Sequence, residues 1–321
     1  MMLVPATSAS GLFTVGYMTN KPVPLSPFAP IGYLLMLSRR FPMRVFAILA
    51  AVIVFAQPSF AEEPVKLRFA FGANQTLTYR IVQTTTVNEI QLDENTKKPL
   101  AIATSTKLTI TKKWIVKEVD PNGAATLEMT MTALKQETNQ TVGTEKPVVN
   151  TLDSSLPADA KAMTFLNKPI LTAKIDPLGK LLDVKSEMPG AADRLEADLP
   201  FKVQFVADAV AVNATWERSF ELKLPPPLGT GEKFLATQKA TYRGLKDGLA
   251  VIGVVTALKK PLAEKALLPG VAPMLWEGDV FVDAKTGTYR GAKLSVKQEV
   301  ANHAGDGTKF AYASEYEEAP E

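Results

Sequence analysis

Apolar and polar side chains alternate along the chain from Val65 onwards. Between Val65 and Phe71 the apolar residues fall on one side of an extended chain, while Lys66 and Arg68 fall on the other. Residues 77–92 and 104–120 are rich in Thr, Val, Ile and Tyr, whose branched or aromatic side chains suit a pleated surface. The pattern predicts a half-buried β-strand in each of these three segments.

Turn residues separate the later alternating segments and predict hairpins. Glycine supplies the positive φ angles of tight turns, and Asp or Asn before it can bond to the turn backbone. Consecutive hairpins build an antiparallel meander, so the chain is predicted to be mainly β. The five predicted turns are Asn122–Gly123, Asp176–Gly179, Lys246–Gly248, Asp283–Gly287 and Gly305–Gly307.

Three segments carry helical signals. Residues 157–166 and 261–268 each begin with proline, which is tolerated in the first helical turn. Residues 190–212 place Phe201, Phe205 and Ala209 at four-residue spacing, which predicts a helix or helix pair lying on a sheet. The fold class is therefore mainly β (α+β), with antiparallel, meandering, curved sheets and a few short helices packed on the concave face.

The order of turns and helices indicates two related units. In both halves a hairpin with Asn-Gly or Asp-Gly precedes a proline-flanked helix, and a hairpin beginning with Asp follows it. The predicted units are residues 62–212 and residues 213–321. Similar turns arising independently in a meandering β protein are the alternative, because the two copies share little residue identity.

The N-terminal region has the features of an export signal. Three arginines precede the apolar run 45–55, and Ser59-Phe60-Ala61 follows it, which is the order of a secretory signal peptide. Eleven apolar residues span only about 16 Å as a helix, too short for a membrane anchor. We expect a signal peptide over 36–61 that is cleaved between Ala61 and Glu62. The protein is then expected to be exported by the general secretory route to the periplasm or outside the cell. No membrane span is expected after cleavage. Residues 1–35 are expected to be an over-extended start or a disordered leader.

Charge and cysteine content exclude several classes of function. The chain has 36 basic and 33 acidic residues, and the first 61 residues hold four of the basic ones and no acidic one. Subtracting four from 36 leaves 32 basic against 33 acidic residues, a net charge of −1, so no basic field is left to attract nucleic acid. The absence of cysteine excludes disulfides, thiol catalysis and a lipid-modified cysteine anchor.

Few residues offer catalytic chemistry. His303 is the single histidine and is predicted to lie solvated in a loop, so neither a Ser-His-Asp triad nor a histidine-rich zinc site is expected. Asp176 and Asp283 are predicted to bond the turn backbone rather than to bind calcium. No catalytic, cofactor-binding or metal-binding residue is predicted. Four carboxylates are candidates for a hydrolase pair by residue type alone: Glu217, Glu221, Glu277 and Asp279.

The aromatic residues carry two interpretations. Trp114, Trp216 and Trp276 fall within or beside predicted strands, where they would fill the core. Some of them would alternatively line an apolar groove between a curved sheet and the helix predicted over 190–212.

Seven strand and turn segments form a recognisable set: 67–69, 77–80, 83–86, 114–131, 170–184, 215–218 and 281–287. Together they resemble an uncharacterised family of secreted bacterial β-rich proteins, a domain of unknown function. The resemblance implies no activity. Hairpins beginning with Asp on a curved sheet with helices inside are more distantly similar to the periplasmic lipoprotein-carrier half-barrels, which bind acyl chains.

Three functions remain open. The first is an exported, non-enzymatic binding module that carries a hydrophobic small molecule such as a lipid, which requires an open apolar groove. The second is a structural or protein-interaction protein of the cell envelope, which would present an apolar patch or an unprotected strand edge. The third is a hydrolase that uses a pair of carboxylates.

Overall fold

The described part of the chain folds into one antiparallel sheet of twelve strands. The computed structural model describes residues 63–93, 96–186, 195, 197–224 and 229–321. Each strand pairs only with antiparallel neighbours, as the predicted meander requires. The strands are β1 (Thr76–Leu92), β2 (Pro99–Val119), β3 (Ala125–Val142), β4 (Val148–Asp153), β5 (Pro169–Ile175), β6 (Leu181–Ser186), β7 (Thr215–Leu224), β8 (Glu232–Lys246), β9 (Leu249–Leu258), β10 (Glu277–Asp283), β11 (Tyr289–Ala301) and β12 (Lys309–Pro320).

The sheet has two sides in sequence. Its order is β6-β5-β3-β2-β1-β12-β11-β10-β9-β8-β7, with β4 beside the far end of β3. Strands from residues 76–186 thus form one side and strands from 215–320 the other, and the two sides meet where β1 pairs with β12. The sheet is curved and open, which confirms the predicted fold class. The division into units at residues 212 and 213 stays a prediction.

The two sides share an order of elements. On the first side, the β2–β3 hairpin, a short helix and the β5–β6 hairpin follow one another. On the second side, the β8–β9 hairpin, a second helical segment and the β10–β11 hairpin do the same. In both cases the four hairpin strands are neighbours in the sheet.

The five predicted turns connect strands as expected. Gly123, Gly179, Gly248 and Gly287 all have positive φ, between 65° and 83°. Asp176 Oδ1 accepts hydrogen bonds from the backbone N–H groups of Leu178 and Lys180, at 2.9 and 2.8 Å. The turn aspartates therefore bond backbone, as the sequence predicted.

One face of the sheet, called the inner face here, carries the core. It holds Ile110, Trp114 and Tyr242, and it packs against two irregular segments, residues 63–71 and residues 197–214. The core includes residues from both sides of the sheet. The opposite face, called the outer face, is mostly polar, because alternate residues of each strand point to opposite faces.

The strand predicted over Val65–Phe71 is wrong. Only Val65 makes an isolated bridge, to Val210, while Leu67 and Phe69 are buried. The Phe69 N–H bonds to the Pro177 carbonyl, and the Ala70 N–H to the Gly287 carbonyl. The alternation reflects an extended segment that crosses the inner face and is tied to turns from both sides of the sheet.

The helix predicted over 190–212 is also wrong where the structure describes it. Residues 197–212 have no helix. Pro200 removes a backbone donor, Lys202 has a φ of +64°, and the Phe205 N–H bonds to Leu178 across the core rather than within its own segment. The four-residue spacing of the phenylalanines places both rings in the core without a helix.

Of the other two helical predictions, the one over 157–166 is confirmed in part, whereas the one over 261–268 misses most of the α-helix that forms there. The first helix, α1 (Pro157–Ala162), is shorter than predicted. The second, α2 (Leu268–Val271), lies between the 3-10 turns Lys265–Leu267 and Ala272–Met274. It begins later than predicted because Pro269, rather than Pro261, occupies its first turn. Val271 and Ala272 are buried against the inner face.

Three predictions concern residues outside the described part of the chain. The leader over 1–35, the signal peptide over 36–61 and the cleavage between Ala61 and Glu62 all fall there. They stay expectations from the sequence.

Candidate functional site

Aromatic side chains fill the space that the sequence predicted as a groove. The Phe69 ring lies 5.3 Å from Phe201 and 4.8 Å from Phe205, measured between ring centroids. Phe201 also contacts Trp114 and Tyr289, at 6.1 and 5.2 Å. These rings are nearly fully buried. This part of the inner face is packed core, so the apolar groove expected beneath residues 190–212 is filled by side chains where the structure describes it.

A buried carboxylate lies beside the aromatic core. Glu318 is 2% exposed, and its Oε1 lies 2.6 Å from the Lys112 ammonium. Its Oε2 accepts hydrogen bonds from the Tyr289 and Tyr316 hydroxyls, at 2.8 and 2.7 Å. The Tyr79 hydroxyl donates to the Tyr289 carbonyl at 3.1 Å. The charge is thus enclosed and hydrogen-bonded, as buried charges require.

The charges of this cluster shift its titration. Burial alone would raise the pKa of Glu318, but Lys112 and Lys202, with hydrogen bonds from Lys112 and Tyr316, hold it below the usual range. Burial, followed by the charge of Glu318, raises the pKa of Tyr289 and Tyr316 well above 10. The carboxylate is therefore ionised and both phenols are neutral donors at neutral pH.

The strand pattern of the sequence contains a signal for this cluster that the predictions above did not include. Along β12, Phe310, Tyr312, Ser314, Tyr316 and Glu318 alternate onto the inner face, so the strand pattern itself predicts an inward carboxylate. Along β2, Lys112 lies in the same inward register as Ile110 and Trp114. Both Glu318 and Lys112 are charged residues at inward-facing positions. Because a buried charge needs a partner of opposite charge, the pattern predicts that they pair.

A pocket of about 500 Å³ lies on the outer face. It covers five neighbouring strands, β3, β2, β1, β12 and β11. One row across its floor consists of residues directly opposite one another on these strands. In order, the row is Thr141, Ala103, Asn88, Ala311 and Glu299.

Small side chains create this pocket. Ala103 and Ala311 flank Asn88 in the central row, and Ala101 and Ala313 occupy the rows on either side. An alanine reaches only to Cβ, whereas the lysine and glutamate side chains of β11 and β12 extend well beyond the backbone. The floor is therefore low and largely apolar, with higher charged groups along one side.

The charged side of the pocket is formed by β11 and β12. Lys309 Nζ lies 2.5 Å from Glu299 Oε1, and Lys297 lies nearby. The hydrogen bond and charge of Lys309, with a smaller contribution from Lys297, lower the pKa of Glu299. The three groups carry a net charge of +1 when all are ionised.

His303 does not lie in solvent, contrary to the sequence prediction. Its side chain is 4% exposed, and its Nε2 lies 3.0 Å from Glu89 Oε1. The chain turns at Asn302, which has a φ of +57°, and the His303 ring packs 5.8 Å from Phe310. Glu89 lies opposite Phe310 on β12, so this pair lies on the inner face, on the other side of the sheet from the pocket floor.

The four candidate hydrolase carboxylates lie on the outer face, on β7 and β10. Glu277 and Asp279 are two residues apart on β10, roughly 7 Å between their Cα atoms. Glu217 and Glu277 lie in one row of the outer face, three strand spacings or about 14 Å apart, whereas glycosidase carboxylates lie within about 9.5 Å. Glu221 is paired with Lys233 at 2.8 Å, and Asp279 with Arg243 at 2.9 Å. None of the four lines the outer-face pocket.

Two features are absent from the described residues. Within 63–93, 96–186, 195, 197–224 and 229–321, no three His, Cys, Asp or Glu side chains come together in a way that could hold a metal ion. No helix in the same ranges is both long enough and apolar enough to cross a bilayer.

The likeness of this chain to known proteins is distant. No family model matches the chain, so the resemblance to an uncharacterised secreted family has no family match behind it. No curated protein matches either. Among solved structures, the fold is similar to a chain described as "Lipid-protein interactions in lipovitellin", with a TM-score of 0.41 and 11% identity. The likeness covers 78% of this chain and 25% of that one, so this chain spans about a quarter of its length. A TM-score of 0.41 carries no functional argument.

Proposed function

We propose that this chain is an exported, non-enzymatic binding protein that holds a small amphipathic molecule in the outer-face pocket. The observation that carries the proposal is the pocket itself, whose volume of about 500 Å³ lies in the range of ligand sites. The low alanine floor offers apolar contact, and Asn88, Lys297 and Lys309 offer polar groups at and around it. Each 100 Å² of apolar surface removed from water contributes about 2.5 kcal/mol.

The ligand is expected to lie with its apolar part on the floor and its polar part toward β11. This arrangement differs from the groove expected between sheet and helix, because aromatic rings fill that space. A protein with a cleaved signal peptide would meet such a ligand in the periplasm or outside the cell.

Binding of the fluorescent amphiphile anilinonaphthalene sulfonate tests the proposal. We expect one saturable site in the wild-type protein. Replacing Ala311 by Trp fills the centre of the floor and should abolish that site. The matched control is Ala257→Trp, which adds the same ring to an exposed alanine on the outer face of β9, away from the pocket. Absent binding, or equal binding by both variants, would refute the proposal.

A second candidate function rests on the free edge of β4. Among the described residues this strand pairs only with β3, and its valines are unusually exposed, Val148 by 57% and Val149 by 63%. An uncovered strand edge with apolar side chains is a site where a strand of a partner protein can add to the sheet. This is the arrangement that an envelope interaction protein would use.

Site-specific photo-crosslinking in the native cell tests the second candidate. A photoreactive residue at Val149 should give one discrete crosslinked product with an envelope protein. The control position is Leu235, which is 53% exposed but lies on the outer face of β8 rather than on an edge. No product at Val149, or the same products at both positions, would exclude the β4 edge as the binding site.

A further inference from the structure

A belt of hydroxyl side chains crosses the inner face, where a core-facing surface is normally apolar. Thr138, Thr106, Thr85 and Ser314 lie directly opposite one another on the neighbouring strands β3, β2, β1 and β12. We call these four residues the hydroxyl belt. The three threonines are half-buried, so the belt is not sealed within the core.

Two glutamines extend the hydroxyl belt. Gln83 donates from Nε2 to Ser314 Oγ at 3.1 Å, and Gln136 donates from Nε2 to Thr138 Oγ1 at 3.1 Å. Gln136 is only 7% exposed, and its Oε1 has no hydrogen-bond partner among the described residues. Leaving a buried acceptor unsatisfied is unfavourable, so this oxygen is placed to accept from a ligand that carries donors.

Hydrogen bonds within the belt use part of its capacity. The Thr106 and Thr138 hydroxyls lie 3.2 Å apart, and those of Thr85 and Ser314 lie 2.8 Å apart. Each hydroxyl has one donor and two acceptor positions, so every pair keeps unused positions. Because neighbouring strands lie about 4.8 Å apart, the belt presents hydroxyls at regular intervals.

Aromatic rings stand beside the hydroxyl belt on the same face. Tyr316 lies opposite Gln83, one row from the belt, and is itself buried; the ring that is partly accessible is the half-buried Trp276, 5.8 Å from Tyr316 between centroids. Rows of hydroxyl and amide groups next to an aromatic ring match a ligand that has many hydroxyls and an apolar ring face.

We propose that the hydroxyl belt binds a polyhydroxylated ligand of the oligosaccharide class. The ligand's hydroxyls replace water on Thr85, Thr106 and Thr138, and one of them donates to Gln136 Oε1. The site is separate from the outer-face pocket, because the belt residues lie on the opposite face of the same strands.

A glycan array followed by titration calorimetry with the best-retained oligosaccharide tests this proposal. We expect at least one oligosaccharide to bind the wild-type protein. Thr85→Val keeps the shape of the side chain and removes its hydroxyl, and should weaken binding about tenfold, the effect of losing one to two hydrogen bonds. Thr84→Val makes the same change at the next residue, which is exposed on the outer face, and should bind as wild type does.

Further measurements keep the test decisive. Thr106→Val provides a second belt variant should Thr85→Val fold poorly, which circular dichroism would reveal. The oligosaccharide should not displace anilinonaphthalene sulfonate, so failure of this proposal and failure of the outer-face pocket are distinguishable. An array without retained glycans, or equal affinities for the Thr84 and Thr85 variants, would overturn the belt as a binding site.

Discussion

At the scale of single residues, Glu318 is a buried charge held by one ion pair and two phenol hydrogen bonds. It lies on the inner face and links strands from both sides of the sheet through Lys112 on β2 and Tyr289 on β11. A buried ion pair is not a net source of stability, because desolvation offsets attraction. Removing only one partner is different, since it leaves the other charge buried and unpaired.

We therefore expect Glu318→Gln to lower the free energy of unfolding by about 3–5 kcal/mol. Urea denaturation followed by circular dichroism measures the change. Glu317→Gln is the matched control, because Glu317 is exposed on the outer face, 57% by its side chain, and pairs there with Lys293. Its effect should stay within about 1 kcal/mol. Similar effects for the two variants would show that the buried cluster is unimportant for stability.

The same carboxylate makes stability depend on acid. Because the pKa of Glu318 is lower in the folded chain, its contribution is present above the pKa of the unfolded chain, near 4.5, and is lost as pH falls through the folded value. Between pH 5 and pH 3 the Glu318→Gln variant should lose stability less steeply than wild type, by up to about 1.4 kcal/mol per pH unit. Urea midpoints measured across that range test this, and parallel curves would contradict it.

At the scale of elements, the β5–β6 turn shows how a turn fixes tertiary packing. Gly179 has a φ of +82°, and a Cβ there would lie 2.7 Å from the Phe69 ring and from the Val203 carbonyl. Gly248, in the β8–β9 turn, has a similar φ of +78° but open space around it. The first glycine is required by backbone angle and by packing, the second by backbone angle alone.

Gly179→Ala should therefore destabilise the chain more than Gly248→Ala. A positive φ costs an alanine about 1–2 kcal/mol at either position, and crowding at Gly179 should add about 1–3 kcal/mol. Thermal unfolding of both variants measures the difference. Equal shifts of the melting temperature would mean that the Phe69 segment yields to the extra methyl group.

The turns and most strands could be predicted from sequence because their causes are local. Asp176 and Gly179 specify their turn within four residues, and alternation specifies which side of a strand faces inward. Phe69 and Phe205 could not be assigned correctly, because their backbone hydrogen bonds go to distant turns rather than to neighbours in sequence. The outer-face pocket could not be predicted from the sequence either. It forms because strand pairing places alanines of β2 and β12 on either side of β1.

At the scale of the whole molecule, one core connects the two sides of the sheet. Phe69 and Trp114 come from one side of the sequence, Tyr242 and Tyr289 from the other, and all four belong to the same cluster. The β1–β12 pairing extends over twelve residue pairs. Neither side would keep its aromatic residues out of water without the other.

We expect the two sides to unfold as one cooperative unit. Native-state hydrogen exchange read by mass spectrometry should give the same opening free energy for the most protected amides of β2 and of β9. Glu318→Gln should reduce both values equally. A markedly lower value for one strand would instead support independently folding units on either side of residues 212 and 213.

The pairing of β1 with β12 also determines when the fold can be completed. A chain that emerges from its N-terminus can form the β1–β2 and β2–β3 hairpins early, because their partners are adjacent in sequence. The other edge of β1 stays open until residues 309–320 arrive, and open edges recruit other chains. A holding chaperone that covers the open edge of β1 until residues 309–320 are available would therefore raise the yield of native protein. A chaperone that acts only once the whole chain is available would raise it less.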